Sequence, residues 1–526
     1  MKEKISPYLP GIGLFLVTLI LGIIIYKDYG MGWDEPLQRG PALLSWDYVF
    51  HGKMDLFTTE TDNHGAGFEM VLLAFEKGMN ITDTRELYVM RHIVTHILFL
   101  LSSFAGYVLV YRLFRDKWIA SLGFLMFTFA PRIYAHSYFN SKDLPFLCMV
   151  LVGLAFTQLA MDKRKWWWFV LAGLAFGYGT GIRIMGILYG LLVGLLLLID
   201  LVMKMKDKQK PTDIIVQMVV FTLAFCGMLY TSWPYLWRNP VAKFAESFGA
   251  LAHFKFQGSV LFQGQFIPAP DLPWTYIPTW FIISTPILWL IAGAIGMVWI
   301  VINFAREPKK FMPNGNDRNF MFYVLCFMGP LIAVIGMHSV VYDDWRHLYF
   351  VFPPFVLLGL YAINRLYIMN KMKWVALGVC GAQLLLIANF MVLNHPNEQV
   401  YFNSLVKQDD EYLRQQYELD YWGCSFKQAL DNIAESDTSS LIKVSGNWAF
   451  PLNNNVMILP QNIRKRFVLV NEPDKSDYFL TNFRLHPGDY PSNNVFYELQ
   501  ICHSTVMRAY KIKGAVPQVP AQVPGK

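Results

Sequence analysis

Charged residues are scarce in this sequence, at 16% of 526 residues, whereas soluble domains contain roughly 25%. Hydrophobic residues make up 54% of the chain, so an ordinary soluble protein is excluded. The net charge of +7 comes mostly from short basic clusters between apolar segments. Such clusters report orientation in a membrane and give little support to nucleic-acid binding. The composition therefore indicates a membrane protein.

Cysteine is also scarce, with six residues and no spacing typical of a metal site. Four of them lie in apolar runs and are interpreted as small hydrophobic residues: Cys148, Cys226, Cys326 and Cys380. Cys424 and Cys502 share the polar C-terminal region and could form a disulfide if that region is extracytoplasmic. No small-residue cleavage site follows the first apolar run, so we expect a retained span rather than a signal peptide.

Long apolar runs predict about eleven membrane spans, since a span requires about 20 apolar residues. The runs lie near residues 9–26, 91–111, 118–134, 144–161, 166–181, 184–203, 213–233, 277–303, 319–338, 348–368 and 374–393. With a cytoplasmic N-terminus, every loop assigned to the inside is basic, as the positive-inside rule requires. These loops are 112–117, 162–165, 204–210, 306–318 and 371–373. The odd number of spans places the C-terminal region outside.

This topology predicts an all-α polytopic membrane protein with a small C-terminal extracytoplasmic α/β domain. The transmembrane domain covers residues 1–394, and its extracytoplasmic loops are 27–90, 135–143, 234–276 and 339–347. The α/β domain covers 395–515, and the Pro-rich tail 516–526 is expected to be disordered. Periodicity predicts helices at 68–75 and 418–434, strands at 441–444, 466–470, 478–481, 495–501 and 506–512, and turns at 451–455.

Polar residues gather in the predicted outer loops. Asp34 and Glu35 directly follow the first span, beside Trp33, and either serve a reaction at the membrane edge or are solvated residues next to an interfacial anchor. Further polar clusters lie at 135–143 and 339–347, whereas the spans are almost free of ionisable residues. A carrier would more typically hold such residues near mid-span. The pattern favours chemistry at one membrane face.

A sugar linked to a lipid phosphate would present its head group at this face. Its transfer to a hydroxyl or amine requires a carboxylate to take the acceptor proton and cations to hold the departing phosphate. Asp34 suits the first role, because an ordinary carboxylate is ionised at neutral pH, and Asp143 could orient the acceptor or share that role. The cations suited to phosphate are Lys142, Arg183, Arg346 and His347. Glu35, His64 and Asp344 complete the candidate substrate-binding residues.

Each candidate also has a purely structural interpretation. Asp143 could cap the fourth span, and Arg346 could be an interfacial residue that extends to the head groups. Asp343 and Asp344 could merely neutralise Arg346. His64 could be an ordinary loop residue. None of these interpretations explains why the residues share one membrane face.

Three motifs in this set resemble a known family. Trp33-Asp34-Glu35 after the first span, Asn140 to Phe146 at the start of the fourth and Asp344 to His347 at the start of the tenth resemble the polyprenyl-phosphate-dependent membrane glycosyltransferases. These include the protein O-mannosyltransferases and the aminoarabinose transferases of lipid A. The stretches 395–403 and 417–423 are similar to bacterial members in particular. The resemblance covers the chain to about residue 425.

The resemblance implies a C-type glycosyltransferase fold with an extracytoplasmic active site. It matches Asp34 to the general base and Asp143 to a second carboxylate of the family. His64 is followed by Gly65-Ala66-Gly67 and departs from the His-Pro-Pro signature of the mannosyltransferases, so its role and the acceptor type stay open. The family further implies inversion at the anomeric carbon and no bound metal or other cofactor.

We therefore expect a multi-pass enzyme of the inner (plasma) membrane that moves a sugar from a polyprenyl-phosphate donor to an extracytoplasmic protein, glycolipid or polysaccharide. The C-terminal domain either binds that acceptor or stabilises the protein. One alternative is a lipid-linked-sugar flippase or transporter with a partner-binding domain. It requires polar or broken-helix sites within spans, and the glycines at 173, 177, 179 and 181 could form such sites or serve close packing. A non-catalytic scaffold, the third hypothesis, predicts that Asp34→Asn has no effect.

Overall fold

The computed structural model describes residues 6–58, 65–252, 258–312, 315, 317–492 and 494–512. His64 and the predicted tail at 516–526 lie outside the described residues. Up to residue 394 the described chain is almost entirely helical, as the apolar runs predict. Its elements are α1 (Leu9–Ile25), α2 (Glu35–His51), α3 (Gly67–Gly78), α4 (Thr84–Phe114), α5 (Lys117–Thr128), α6 (Pro131–Phe139), α7 (Asp143–Lys163), α8 (Trp166–Thr180), α9 (Ile187–Lys206), α10 (Thr212–Ser232), α11 (Pro240–Ala252), β1 (Ser259–Phe262), β2 (Gln265–Pro268), α12 (Tyr276–Ser284), α13 (Ile287–Arg306), α14 (Arg318–Gly336), α15 (Phe352–Tyr367) and α16 (Lys373–Asn394).

Nine helices among the described residues are long and apolar enough to cross a membrane. They are α1, α4, α7, α9, α10, α13, α14, α15 and α16, with short 3₁₀ turns extending α1, α9 and α15. The pair α5 and α6, bent by 61° at its break, makes a tenth if it counts as one span. The polytopic helical fold is confirmed.

The predicted number of about eleven spans differs from this result for local reasons. Helix α8 has 15 residues, which is too short to cross the membrane alone. The predicted span at 277–303 is divided into α12 and α13, because Pro286 has no amide hydrogen to continue the first helix. The predicted apolar helix at 68–75 is confirmed as α3.

Charged side chains of the predicted cytoplasmic loops meet in the structure. Arg112 donates to Asp162 at 2.9 Å, and Arg164 and Arg318 both pair with Asp200. Asp200 lies in α9 and the other four residues come from three of the predicted inside loops, so these three loops lie at the same end of the helices. That this end faces the cytoplasm stays a prediction.

A five-stranded sheet forms the C-terminal region. Its elements are α17 (Tyr412–Gln416), α18 (Phe426–Ser436), β3 (Ile442–Gly446), α19 (Ala449–Met457), α20 (Gln461–Arg464), β4 (Phe467–Leu469), β5 (Tyr478–Thr481), β6 (Val495–Ile501) and β7 (Ser504–Lys511). The strand order is β4-β3-β5-β7-β6, with β3 parallel to β4 and β5, and β7 antiparallel to its neighbours. Helix α18 covers the sheet with an apolar stripe at helical spacing: Phe426, Ala429, Leu430 and Ile433.

The predicted strands are confirmed, but two predictions about this region are wrong in detail. The helix predicted at 418–434 begins only at Phe426, because residues 418–425 form a loop. The turns predicted at 451–455 lie within α19. An Asn-rich stretch favours turns, yet Asn454 and Asn455 are buried and bond to the backbone of other segments. Tertiary contacts thus override local preference here.

All six cysteines lie among the described residues and are unpaired. The disulfide considered for Cys424 and Cys502 is therefore absent. Cys424 is buried. The carbonyl of the preceding residue, Gly423, accepts a hydrogen bond from Asn455.

Candidate active site

Four distant segments bring their charged side chains together at one end of the helices. Arg346 lies at the centre, with its Nη1 atom 3.2 Å from Asp34 Oδ2 and 3.5 Å from Asp143 Oδ2. Arg183, which follows α8, pairs with the other oxygen of Asp143. Asp34, Asp143 and Arg346 are buried. The sequence prediction that these residues share one face is therefore matched by direct contact.

Asp143 is the first residue of α7, yet it does not cap the helix. The side chain of Asn140 does so, because its Oδ1 accepts from the amide of Asp143 at 2.9 Å. The Nδ2 of Asn140 then donates to Asp143 Oδ2 at 2.9 Å. The carboxylate of Asp143 is thereby turned towards Arg183 and Arg346. Asp143 therefore forms ion pairs and does not cap the helix.

Asp34 and Asp143 differ in the partners of their oxygens. Both oxygens of Asp143 face donors or cations: Asn140, Arg183 and Arg346. Asp34 uses Oδ2 for Arg346, and no hydrogen bond to its Oδ1 is formed among the described residues. Burial raises the pKa of Asp34, and the nearby Arg346 only partly offsets this. Asp34 therefore has an available oxygen and a raised proton affinity, which are the properties of a general base.

Lys142 supplies a cation that is not neutralised by a carboxylate. It is half-buried and makes no ion pair with any residue in the described ranges, unlike Arg183 and Arg346. Burial and the positive charge of Arg183 lower the pKa of Lys142 to about 7. Its side chain lines a small cleft together with Gln38, Gly65, Phe68, Glu69 and Ser141. A cation in this position can receive an anionic group of a ligand.

Asp343 and Asp344 lie in the left-handed region, with φ of 54° and 62°. Two consecutive non-glycine residues in this region are unusual and are tolerated best by Asp and Asn. The arrangement directs the two carboxylates to different cations. Asp343 bonds Arg346 at 3.2 Å and Arg484 at 2.8 Å, whereas Asp344 bonds Arg132 at 3.0 Å. Asp343 neutralises Arg346, as one interpretation of the sequence proposed, but Asp344 does not.

Asp344 is enclosed by further donors. Tyr421 donates to its Oδ2 at 2.6 Å and Tyr349 at 2.9 Å. His136 lies behind these hydroxyls, with its Nε2 atom 3.1 Å from that of Tyr421. Asp344 is 1% exposed, and its contacts hold these elements together.

The remaining predicted residues lie around this centre. Glu35 accepts from the amide of Gly32 at 2.7 Å and faces His92 Nε2 at 3.1 Å, so it holds the loop that carries Asp34 against α4. The ring of His347 packs edge-on against Tyr342 at 4.7 Å between centroids. His64 lies outside the described residues.

Several residues of the site were missed by sequence reasoning. Arg91 of α4 is 1% exposed and forms a buried ion pair with Glu69. Ser141 also donates to Glu69. A signal was available in the sequence, because α3 carries two glutamates, Glu69 and Glu76, in a largely apolar helix, and a buried carboxylate requires a partner. For Arg132 and Arg484 the sequence offered no comparable signal.

The C-terminal region holds the loop that carries Asp34. Trp33 donates its amide to the carbonyl of Trp422 at 3.0 Å. The side chain of Asn455 accepts from the amide of Met31 at 3.0 Å and donates to its carbonyl at 3.1 Å. The guanidinium carbon of Arg346 also lies over the indole of Trp422, 5.2 Å from the ring centroid. The soluble region is thus part of the site.

We expect Asn455→Ala to destabilise the protein by about 1–3 kcal/mol, because it leaves buried backbone groups of the Met31 loop without partners. Activity should fall as well, since that loop positions Asp34. Thermal unfolding in detergent measures the first effect. Asn453→Ala is the matched control, because Asn453 lies on the same helix and is exposed. Equal unfolding temperatures for the two variants would contradict the assignment.

One family model matches part of this chain. Residues 66–238, about a third of the chain, match the family model described as dolichyl-phosphate-mannose-protein mannosyltransferase. This match confirms the resemblance found in the sequence. No functionally curated protein matches the chain significantly.

Solved structures of similar fold include an oligosaccharyltransferase and ArnT. The apo oligosaccharyltransferase of Archaeoglobus fulgidus matches with a TM-score of 0.48 and 11% identity over 89% of this chain, and the chain spans 65% of its length. ArnT of Cupriavidus metallidurans matches in its apo form with a TM-score of 0.47 and 15% identity over 96% of this chain and 99% of its own. The same ArnT bound to undecaprenyl phosphate gives a TM-score of 0.45 and 15% identity, over 95% and 97% of the two chains.

Residues of the types that bind metal ions are not clustered in the described part of the chain. No cluster of three or more His, Cys, Asp or Glu residues there is arranged to hold a metal ion. The expectation that transfer needs no metal or other cofactor stays a prediction.

Proposed function

We propose that this multi-pass membrane glycosyltransferase moves a sugar from a polyprenyl-phosphate donor to an extracytoplasmic acceptor, with Asp34 as general base and inversion at the anomeric carbon. The observation that carries the proposal is the meeting of an available Asp34 oxygen with Lys142, Arg183 and Arg346. A base and a set of phosphate-binding cations are the two requirements of this transfer. The family match at residues 66–238 supports a lipid-phosphate donor.

The residues have distinct roles in the proposed reaction. The acceptor oxygen or nitrogen forms a bond to the anomeric carbon while the bond from that carbon to the phosphate oxygen breaks. The bonding electrons leave with the polyprenyl phosphate, whose charge is held by Lys142 and Arg183. Asp34 takes the acceptor proton through Oδ1. Asp143 and Asp343 take no proton, and they orient Arg183 and Arg346 instead.

The active face is proposed to be extracytoplasmic and the membrane to be the inner (plasma) membrane. The basic loops at the opposite end support this orientation through the positive-inside rule. They gather around Asp162 and Asp200, far along the helices from Asp34. Helix α4 alone, with 31 residues, spans about 46 Å.

Two of the four glycines considered for a flippase or transporter site lie at a contact between helices. A Cβ atom on Gly173 would lie 2.5 Å from the carbonyl oxygen of Phe221, and one on Gly177 would lie 2.3 Å from that of Phe225. These glycines therefore allow α8 to pack closely against α10. This contact supports the packing interpretation of Gly173 and Gly177.

The alkaline side of the pH profile should depend on Lys142. The pKa of this residue is lowered to about 7, so the ammonium loses its charge as the pH rises through that value and the donor phosphate is held less well. We expect kcat/KM for the donor to fall above about pH 7, since this parameter reports the free enzyme. Lys142→Arg should remove the decline, because Arg stays charged.

The same profile should show an acidic decline that lies above the usual pH range of an aspartate. Burial raises the pKa of Asp34, so protonation removes the base at a higher pH than the ordinary value of about 3.9. Initial rates at low donor concentration measure both the acidic and the alkaline decline.

Lys53→Arg, a substitution at an exposed position, is the control for Lys142→Arg. An unchanged alkaline decline in Lys142→Arg would refute the role of Lys142.

The function is tested with purified protein in lipid bilayers, a panel of radiolabelled polyprenyl-phosphate sugars and a membrane extract. Transfer of one label to an extract component supports the proposal and identifies the sugar and acceptor. Lys142→Ala should reduce transfer and donor affinity together. If no lipid-linked sugar binds or reacts, the proposal fails.

A further inference from the structure

One buried histidine beside the candidate active site takes no part in the proposed mechanism. His136 lies in α6, all nine residues of which are buried, and it is itself 0% exposed. Four aromatic rings enclose its imidazole at centroid distances of 4.9 to 6.1 Å: Phe139, Tyr349, Tyr421 and Trp422. Both ring nitrogens nevertheless have polar partners, and these partners show which nitrogen carries the hydrogen.

The Nε2 side of His136 faces two tyrosine hydroxyls. Nε2 lies 3.1 Å from the hydroxyl oxygen of Tyr421 and 3.4 Å from that of Tyr349. Both hydroxyls donate to Oδ2 of Asp344, at 2.6 and 2.9 Å. Because a hydroxyl has one hydrogen, only the lone pairs of these two oxygens are left to face His136. Nε2 must therefore carry a hydrogen and act as a donor.

The Nδ1 side of His136 faces the side-chain amide of Asn140. Oδ1 of Asn140 accepts from the backbone amide of Asp143 at 2.9 Å, and this contact fixes which end of the side-chain amide is the oxygen. Its Nδ2 donates to Oδ2 of Asp143 at 2.9 Å and lies 3.1 Å from Nδ1 of His136. An amide nitrogen only donates, so Nδ1 must be unprotonated. The two sides thus indicate the same neutral tautomer independently.

This tautomer holds Asn140 in the orientation that the active site requires. With a hydrogen on Nδ1, as in the charged imidazolium, two donors would face each other and Asn140 would have to turn away. Its turning would release the carboxylate of Asp143, which pairs with Arg183 and Arg346. Oδ1 of Asn140 also accepts from the amide of Lys142 at 3.3 Å. All three cations assigned to the donor phosphate are therefore connected to this one amide side chain.

We propose that His136 is a positioning residue for these cations: its neutral imidazole, protonated on Nε2, fixes Asn140 and thereby Asp143 and the start of α7. This inference rests on the proposed function, which assigns the cations to the departing phosphate. His136 acts through Asn140 and has no contact with the donor in this account. Through Tyr421, the same ring connects the C-terminal region to the phosphate-binding side of the site.

The tautomer is tested by solid-state ¹⁵N NMR of the full chain in lipid bilayers, with ¹⁵N in the histidine rings. The signals of His136 are identified by their absence in His136→Asn. We expect a protonated Nε2 and an unprotonated Nδ1 throughout the range of about pH 5 to 8, in which an ordinary histidine gains its charge. A protonated Nδ1 anywhere in that range would overturn the inference.

The positioning role is tested with two amide substitutions that each keep one half of the imidazole. His136→Asn places an oxygen where Nδ1 is bonded, so it can still accept from Asn140, but it loses the contact with Tyr421. His136→Gln has a nitrogen as many bonds from the backbone as Nε2, so it can reach Tyr421 but offers no acceptor to Asn140. His51→Asn and His51→Gln, at an exposed position, are the matched controls.

The probe is farnesyl phosphate, and its affinity is measured by calorimetry beside thermal unfolding of each variant. We expect His136→Gln to weaken binding about tenfold, as losing a hydrogen bond does, and His136→Asn to stay within about threefold of the unmodified protein. The unfolding temperature should fall further in His136→Asn, because the smaller side chain leaves the larger cavity. The His51 variants should match the unmodified protein in both measurements.

A purely structural role of His136 would make binding and stability follow the size of the side chain alike. Equal losses of binding in the two variants, or the larger loss in His136→Asn, would therefore overturn the inference and leave the proposed function standing. If farnesyl phosphate did not bind the unmodified protein, the proposed function would fail, and the inference with it.

Discussion

Asp34→Asn is expected to reduce sugar transfer by about 10² to 10⁴-fold, the usual contribution of a positioned general base. The amide keeps the shape of the side chain and its contact with Arg346, but it cannot take the acceptor proton. The fold should persist, because a neutral amide is less costly to bury than a carboxylate. The raised pKa of Asp34 shows that burial already disfavours its charged form. Initial rates with saturating donor measure the loss.

The control for this prediction is Asp47→Asn. Asp47 lies on the next helix, α2, and its ion pairs within the described part of the chain are with exposed Lys53 and His51, so its loss should leave transfer unchanged. Donor binding should be similar in Asp34→Asn and in the unmodified protein. If Asp34→Asn retained more than a tenth of the rate, another group would have to serve as the base, and Asp143 would be the next candidate.

Arg346→Ala should cause the largest loss of stability, about 3–5 kcal/mol, the cost of breaking a buried ion pair. Arg346 is 3% exposed and is the shared partner of Asp34, Asp143 and Asp343. Its removal leaves three carboxylates close together without their common cation. Transfer should be lost as well. Thermal unfolding in detergent and transfer rates measure the two effects.

Arg365→Ala provides the comparison on α15, the same helical segment. Its pair with Asp317 is 3.5 Å long and partly exposed, so its loss should cost at most about 1 kcal/mol. Arg346→Lys keeps the charge without the forked donors and should be intermediate. If Arg346→Ala and Arg365→Ala unfolded at the same temperature, Arg346 would not be the residue that holds the site together.

Sequence reasoning reached the membrane architecture because apolar runs and basic loops are local signals. The spans around α4, α7 and α10 follow from them directly. The predicted run at 166–181 matches the bounds of α8 closely, so the error there was to count such a short apolar run as a span. Likewise, the meeting of Asp34 and Asp143 follows from their placement in loops on one side of the membrane.

The partners of these residues were beyond such reasoning. Asp343 and Arg484 are 141 positions apart, and Tyr421 and Asp344 are 77 apart. These contacts depend on how the C-terminal sheet packs on the helices, which periodicity does not specify. Asn455 illustrates the point, since its sequence context predicts a turn while the structure uses it as a buried bridge to Met31.

The architecture also bears on the role of the C-terminal region. Acceptor binding and stabilisation were equal hypotheses from sequence. The structure shows that the region supports Asp34 through Asn455 and Trp422, and that Arg484 joins the charged cluster. A truncation before residue 395 would therefore remove part of the site itself.

The most direct test of the central claim follows the two parts of the donor separately. A polyprenyl-phosphate sugar carrying ³H in the sugar and ³²P in the phosphate is incubated with the purified protein, its acceptor extract and lipid. The account predicts that ³H passes to the acceptor while ³²P stays in the lipid fraction as polyprenyl phosphate, and that Asp34→Asn stops the separation. Both labels remaining on one lipid molecule, even when it changes leaflet, would contradict it.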